Sequence, residues 1–446
     1  MELEPRNTQT KVKHMILAKY LDTWGGIIFN PLRATARKFT SMGRSFDFHF
    51  VYVDCFAYKG KYAGDSEDIL RDRSVSPVTG SPIIGIRSLD KLAEFARRTA
   101  NVDLRINTIL VEEKLDNFTD LRQNLADEGF GQRVRETTDF SSLKPNEIAI
   151  VNADCVSLRN ELVNYTTEGY TWAFYLLDPY GPSGIPHDFI ASIIQQDHHD
   201  AMINFPYQDL HRKTGFILSD KVGPVQQQLV NYWTDVFGSE KWKEIASAVD
   251  NPESWLEVLR GIPLTDLEKD TLLAGGVSEF IEGVLVRLYR ITLGRMDPQL
   301  AVKLIDLQFP DKERTMFYLF LTTHDPTGAL SLNKILHDAK LWEHELRYRY
   351  RFAKKTTAPG QLSLFTIEPD VPNIEMPRPP VEEIVQDIVA RFGGKTVEKR
   401  EVFRKLADEI YSPSEIDKAL SLLRKTEQAQ FDTPPRHDTL IRFSNP

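Results

Sequence analysis

The run Leu176-Leu177-Asp178-Pro179-Tyr180-Gly181 puts an acid at the mouth of an apolar stretch, followed at once by proline and an aromatic ring. A carboxylate with an adjacent backbone carbonyl accepts both hydrogens of an exocyclic amine, and a neighbouring ring stacks on a base. The combination suits methylation of a base amine: Asp178 and the Pro179 carbonyl would orient the amine while Tyr180 stacks on the base. Asp-Pro-Tyr-Gly is equally a good β-turn, with proline second and glycine fourth, so the turn stands as the competing reading.

Other polar residues fall where a nucleoside cofactor needs them. Asp54-Cys55-Phe56-Ala57-Tyr58-Lys59-Gly60 has the form of a cofactor loop, with Gly60 permitting close approach; the alternative for Gly60 is a simple turn. Glu112, in the pair Glu112-Glu113, is placed to accept from ribose hydroxyls, the alternative being a helix-start acid favoured by the dipole. Asp154 would accept from an adenine amino group or cap a helix. His198-His199-Asp200 offers no metal site, because adjacent histidines on a strand face opposite ways; a solvated loop is the expectation. His211-Arg212-Lys213 reads either as a phosphate or substrate contact or as an exposed basic turn.

These residues need a scaffold, and the patterning supplies one. FDFHFVYVDC, INTILVEE, EIAIVNADC, TWAFYLLD and DAMINFP read as five strands, with helical stretches near Leu89 to Ala100, in DNFTDLRQNLADEG and around DFIASIIQQ. Strands alternating with helices predict a doubly wound α/β domain over residues 46–215, with its ligands at the carboxyl ends of the strands. Before it, residues 1–45 hold an amphipathic helix carried by Val12, Met15, Ile16, Tyr20 and Trp24, expected to end at Gly25-Gly26. Residues 216–355 read as a mainly helical extension, with Trp233, Phe237, Trp242 and Trp255 as core and one strand-like run, MFYLFLTTHDPTG. Six prolines between Thr356 and Pro380 predict an extended linker over 356–380. The tail, 381–446, reads as three helices and a hairpin, a winged helix-turn-helix.

At 446 residues the chain has room for two or three domains, and 41% apolar with 27% charged residues excludes bulk disorder. The start MELEPRNTQTK is unlike a secretory signal, and no apolar window suits a membrane span, so a cytoplasmic protein without membrane contact is expected. Cys55 and Cys155 give neither a disulfide framework nor a zinc site and are expected as buried thiols beside strands. A net charge of -9 leaves nucleic-acid contact to a local basic face. Lys399, Arg400 and Arg404 near the second tail helix, with Arg424 and Lys425 ending the third, are the candidates for it, against a protein-docking alternative.

Taken together, TKVKHMILAKYLDTW, YVDCFAYKGKY, GSPIIGI, the acid of LVEE, LLDPYGPSGIP, INF, FGSEKW and FYLFLTTHDPTG resemble the three-Cys-motif partner family (TcmP), class I methyltransferase-like proteins. The resemblance spans about residues 8 to 345. It implies an S-adenosylmethionine pocket using the Asp54 loop with Phe56 and Gly60, Glu112 and Asp154, and a substrate site at Asp178 to Tyr180. It also implies a radical-SAM-like partner that carries the three cysteines. Asp178-Pro179-Tyr180 is similar to the Asp-Pro-Pro-Tyr signature of base-amine methyltransferases with one proline missing. The family loop is D-x-F-A-G-x-G, and Tyr58 replaces the first glycine, where a side chain would obstruct the methionine moiety. In the linker, Gln361 to Phe365 (QLSLF) resembles the peptide by which bacterial replication and repair proteins dock on the sliding clamp. The expected function is a methyltransferase acting on nucleic acid; the alternative is a catalytically weakened adaptor that recruits a partner, including in DNA repair.

Overall fold

In the computed structural model the described residues are 3–43, 48–70, 76–179, 185–217, 223–248, 281–356, 370–433 and 435–445. Tyr180, Gly181, Trp255 and the Gln361 to Phe365 segment lie outside them.

An eight-stranded sheet organises the chain. Its strands are β1 (His49–Asp54), β4 (Arg105–Val111), β5 (Val134–Glu136), β6 (Ile148–Val151), β7 (Thr171–Leu177), β8 (His199–Phe205), β9 (Ala301–Gln308) and β10 (Thr315–Thr323), while β2 (Lys61–Tyr62) and β3 (Val78–Thr79) form a separate small ribbon. The spatial order is β5-β6-β4-β1-β7-β8-β10-β9; the pairings from β5 to β8 are parallel, and β10 runs antiparallel to both β8 and β9. A strand buried on both faces needs apolar residues at successive positions. Phe50-Val51-Tyr52-Val53 meets that demand: Val51 and Val53 enter one core, while Phe50 and Tyr52 enter the other.

Helices cover both faces. On one side lie α1 (Thr8–Ser41), α3 (Ser81–Ala100), α4 (Leu115–Asp127) and α11 (Pro326–Thr356), with the short α2 (Ser66–Leu70) beside α11. Facing the other core are α5 (Arg159–Thr167), α6 (His187–Ile194), α7 (Tyr207–Ile217), α8 (Pro224–Phe237), α9 (Lys241–Ala248) and α10 (Ile281–Gly294). Trp233, Phe237 and Trp242 are buried in that second core, as their apolar character predicts. The residues after 216 therefore complete the sheet and cover one of its faces.

The first helix departs from expectation, because it runs through Gly25-Gly26 to Ser41 and contains Pro31. Glycine inside a helix costs about 1 kcal/mol relative to alanine. Gly25 offsets that cost by close packing: a Cβ there would sit 2.8 Å from Leu92 Cδ2 of α3. Gly25 marks a tight helix crossing, and the helix continues past it.

The tail comprises α12 (Val381–Phe392), α13 (Lys399–Lys405) and α14 (Pro413–Lys425), with a small antiparallel sheet ordered β11 (Thr396–Glu398), β13 (Leu440–Phe443), β12 (Ala429–Gln430). The second helix is shorter than the sequence suggests, because Val397 pairs with Ile441 and takes the segment before it into the sheet. Ser412 and Glu415 form a reciprocal capping box that starts α14. Leu330 of α11 joins the tail's own core, and Asn333 Nδ2 donates to the carbonyls of Glu409 at 2.7 Å and Tyr411 at 2.6 Å, so the tail is seated on the larger unit.

Candidate functional site

The carboxyl ends of β1, β7 and β8 border a cleft of about 340 Å³, whose wall includes Phe56, Tyr58, Asp178, Pro179 and Asn204. Lys13 and His14 of α1, Tyr62, and Gln208 and Arg212 of α7 complete much of it. The Asp54 loop and the Asp178-Pro179 turn, 124 residues apart, thus share one cavity because β1 and β7 are parallel neighbours in register.

Asp178 does not stand alone. Lys13 Nζ donates to its Oδ2 at 2.6 Å and its Oδ1 at 2.8 Å, and Asn204 Nδ2 donates to Oδ1 at 2.8 Å. Lys13 is itself buried and lies 4.7 Å over the Phe317 ring. Around the same cleft, His14 Nδ1, Asn204 Oδ1 and Gln208 Nε2 are buried polar atoms with no hydrogen-bond partner. Buried polar atoms are nearly always paired, so three such atoms around one cavity make it the candidate site for a polar ligand. Burial, reinforced by the positive charges of Arg6 and Lys13, holds His14 well below the usual imidazole range.

Asp54 lies beneath the cleft, fully buried. Its Oδ1 accepts from the Phe56 N–H and its Oδ2 from the Tyr52 hydroxyl, both at 3.2 Å, and the Ser81 hydroxyl adds a third bond. Desolvation pushes its carboxyl up to about 7, against the pull of those donors. Asp54 therefore shapes the loop from below. Tyr58 sits at φ +50, the left-handed region that glycine favours, and its N–H donates to Glu112 Oε2 at 2.8 Å. Glu112 Oε1 accepts from the Lys114 N–H at 3.0 Å and Asn117 Nδ2 at 3.1 Å. Gly60, at φ +73 and buried, accepts at its carbonyl from the Gly80 N–H. Asp154 is exposed and caps the short helical turn that follows, its Oδ1 accepting from the Val156 N–H at 3.2 Å.

Cys55 and Cys155 are buried beside the ends of β1 and β6, and burial, with a hydrogen bond to Cys155, pushes the Cys55 thiol up. His199 departs from the expected solvated loop: it is buried in β8, with its two ring nitrogens at 3.0 Å from the Ile193 and Thr166 carbonyls. Lys213 pairs with Asp209 at 2.7 Å, and nothing is described for the His211 side chain.

The tail cations divide into two groups. Lys399 is buried, pairing with Asp417 at 2.7 Å and lying over the Phe403 ring, while Arg400 points to the junction with the larger unit. Arg404, Arg424 and Lys425 are exposed, although Arg404 pairs with Glu401 at 2.8 Å and Arg424 lies 5.8 Å from the centre of the Phe431 ring. The sequence reading missed Lys13, His14 and Gln208, which no motif or spacing in the sequence marked as site residues.

The fold and the cleft define a mixed α/β protein with a large, mostly parallel sheet and a polar cavity at its strand ends. No family model and no curated protein matches the chain. Among solved structures it is similar to protein LPL1258 from Legionella pneumophila str. Philadelphia 1, family-model DUF519, at 11% identity and a TM-score of 0.35 over 75% of this chain and 92% of that one, a likeness too weak to carry an argument. Among the described residues no group of three or more His, Cys, Asp or Glu side chains is gathered for a metal, and no helix is long and apolar enough to cross a membrane.

Proposed function

We propose an S-adenosylmethionine-dependent methyltransferase-like protein acting on a nucleic-acid base amine, built on a class I methyltransferase-like sheet with a C-terminal winged helix. The parallel order β6-β4-β1-β7-β8 corresponds to 3-2-1-4-5 of the doubly wound nucleotide-binding sheet, whose ligands sit at the carboxyl ends beside the switch point, here between β1 and β7. The observation that carries the reading is the single cleft joining the loop after β1 to Asp178, Pro179 and Asn204, with three unpartnered polar atoms around it.

Of the residues that the resemblance assigns to the cofactor, Phe56 lines the cleft and Asp54, Gly60, Glu112 and Asp154 do not; Glu112 keeps acceptor capacity for it. A carboxylate has about four acceptor positions, and Glu112 has used three, leaving Oε2 one for a ribose hydroxyl. When bound, the cofactor supplies an electrophilic methyl group. The chain's part is to hold the amine: the Pro179 carbonyl and either Asp178 or Asn204 Oδ1 accept its two hydrogens and aim the nitrogen lone pair. Arg404, Arg424 and Lys425 are exposed tail cations that would meet phosphate.

A second reading, a methyltransferase-fold adaptor for a radical-SAM-like three-Cys protein or a sliding clamp, is favoured by two observations. Tyr58 lines the cleft where the family loop has glycine, and Lys13 already neutralises Asp178. Calorimetric titration of S-adenosylmethionine into the wild type and Tyr58→Gly separates the readings. Saturable binding that weakens at least tenfold in Glu112→Gln supports the methyltransferase. Absence of binding in both the wild type and a folded Tyr58→Gly overturns it in favour of the adaptor.

A further inference from the structure

A second cavity, about 490 Å³, lies at the opposite end of the sheet, where β8 begins and β10 ends. Its walls come from three places. Tyr20, Trp24 and Ile28 of α1 give an aromatic and aliphatic side, the strand ends give Asp200 and His324, and the tail contributes Arg400 and His437. Nothing in the proposed methyltransferase site uses it.

Two independent features mark it as a ligand site. The His324 side chain is only 10% exposed, and both of its ring nitrogens are buried with no hydrogen-bond partner. The carboxylate of Asp297 stands 3.7 Å from Nε2, too far to serve as one. An imidazole buried in that state forfeits the bonds it makes in water, unless a molecule in the cavity supplies them. Charge is the second feature, with Asp197, Asp200 and Asp325 on the wall against the single guanidinium of Arg400; Asp200 Oδ2 accepts from the Tyr20 hydroxyl at 2.7 Å, and burial pushes its carboxyl up to about 7, a charge that an arriving ammonium would stabilise. The start of α11 would ordinarily favour an anion, but Asp325 Oδ1 accepts from the Thr327 N–H at 2.7 Å and the Gly328 N–H at 3.2 Å. The excess of carboxylate beside indole and phenol rings suits a cation with a flat apolar body.

We propose that this junction cavity binds an organic amine, its ammonium paired with Asp200 and Asp325, its ring against Trp24 and Tyr20, and its remaining polar atom bonded to His324. Because Arg400 and His437 belong to the tail and the other walls to the sheet unit, occupancy ties the two units together.

The test is calorimetric titration of the full chain with tryptamine, tyramine and benzylamine, each paired with the carboxylate of matching ring (indole-3-acetate, 4-hydroxyphenylacetate, benzoate). Saturable binding of at least one amine, with the paired anion at least tenfold weaker, is expected. His324→Leu and Asp200→Asn should each weaken it by tenfold or more, while Arg400→Ala, on an exposed residue, should tighten it severalfold by removing the opposing charge. The Arg400→Ala arm remains decisive if either buried variant fails to fold. Binding of no amine, preference for the anions, or weaker amine binding in Arg400→Ala would overturn the proposal. None of these outcomes depends on S-adenosylmethionine.

Discussion

Lys303 of β9 gives the sharpest stability test, because it is a lysine buried to 6% exposure at the seat of the tail. Its Nζ donates to the Glu409 carbonyl at 3.1 Å, and that carbonyl also accepts from Asn333 Nδ2. Burial lowers the ammonium from 10.5 to about 8; Asp408 and Glu409 oppose the fall and Arg290 adds to it. Between about pH 8 and 10.5 the unfolded chain holds a proton that the folded chain has released, so stability rises with pH across that window. Below it the folded state bears the whole penalty, roughly 3 kcal/mol. Lys303→Met keeps the apolar stem and removes the charge, while Asn333 still satisfies the carbonyl. The variant should therefore be more stable by about 1–3 kcal/mol at neutral pH, with the gain shrinking towards zero near pH 10. Thermal melting of both proteins at several pH values checks this, since every other group titrates alike in the two and cancels in the difference. A destabilised variant at pH 7, or a gain that does not change with pH, would refute the reasoning.

Other outcomes follow from single contacts. Gly85→Ala should destabilise by about 2 kcal/mol or more in urea unfolding, since its Cβ would lie 2.1 Å from the ring of fully buried Tyr52. A chromogenic thiol reagent should find neither cysteine in the native protein and both after denaturation, Cys55 and Cys155 each being 2% exposed. Burial works to raise the Glu415 carboxyl, yet Arg378 and the N–H and hydroxyl of Ser412 hold it at about 2. Its contribution to stability is complete above about pH 4.5 and lost as pH falls towards 2, so Arg378→Ala should cost on the order of 1–2 kcal/mol at pH 7 and less near pH 2, where its bond to the Ile410 carbonyl is what remains to lose, in melting experiments.

Strands of the sheet were legible because burial on both faces imposes unbroken apolar runs: all five expected segments contain strands, and MFYLFLTT is β10. The short β5 and the longer β9 were not: Val134–Glu136 is a three-residue edge strand with no apolar run, and Ala301–Gln308, at the other edge of the sheet in a region expected to hold one strand, alternates with Lys303 and Asp306. Gly25-Gly26 misled because a glycine that ends a helix and one that admits a neighbouring helix look alike in sequence; only Leu92 distinguishes them. Within the site, Asp178 and the Asp54 loop announced themselves by sitting at strand ends. Lys13 could not, because its partner Asp178 is 165 residues away and only the packing of α1 beside the sheet brings them together.

That ion pair bears on any chemistry at Asp178. An amine nitrogen gains positive charge as it accepts a methyl group, and a nearby carboxylate stabilises that charge. With Lys13 at 2.6 Å the carboxylate's field is largely cancelled, and the ammonium itself repels the developing charge. Asn204 Oδ1 carries no such burden: Asn204 is tied to Asp178 through its nitrogen, and its oxygen is buried without a hydrogen-bond partner. Under the methyltransferase reading the amine is then better received by Asn204 and the Pro179 carbonyl while Lys13 is in place, and Asp178 serves by fixing the asparagine so that its oxygen faces the substrate. Asp178→Asn would in that case preserve the orientation only if the new amide still accepts from Asn204, whereas Asn204→Asp would set a second carboxylate against that of Asp178. The second change should therefore harm amine binding more than the first, the reverse of what a directly catalytic Asp178 requires.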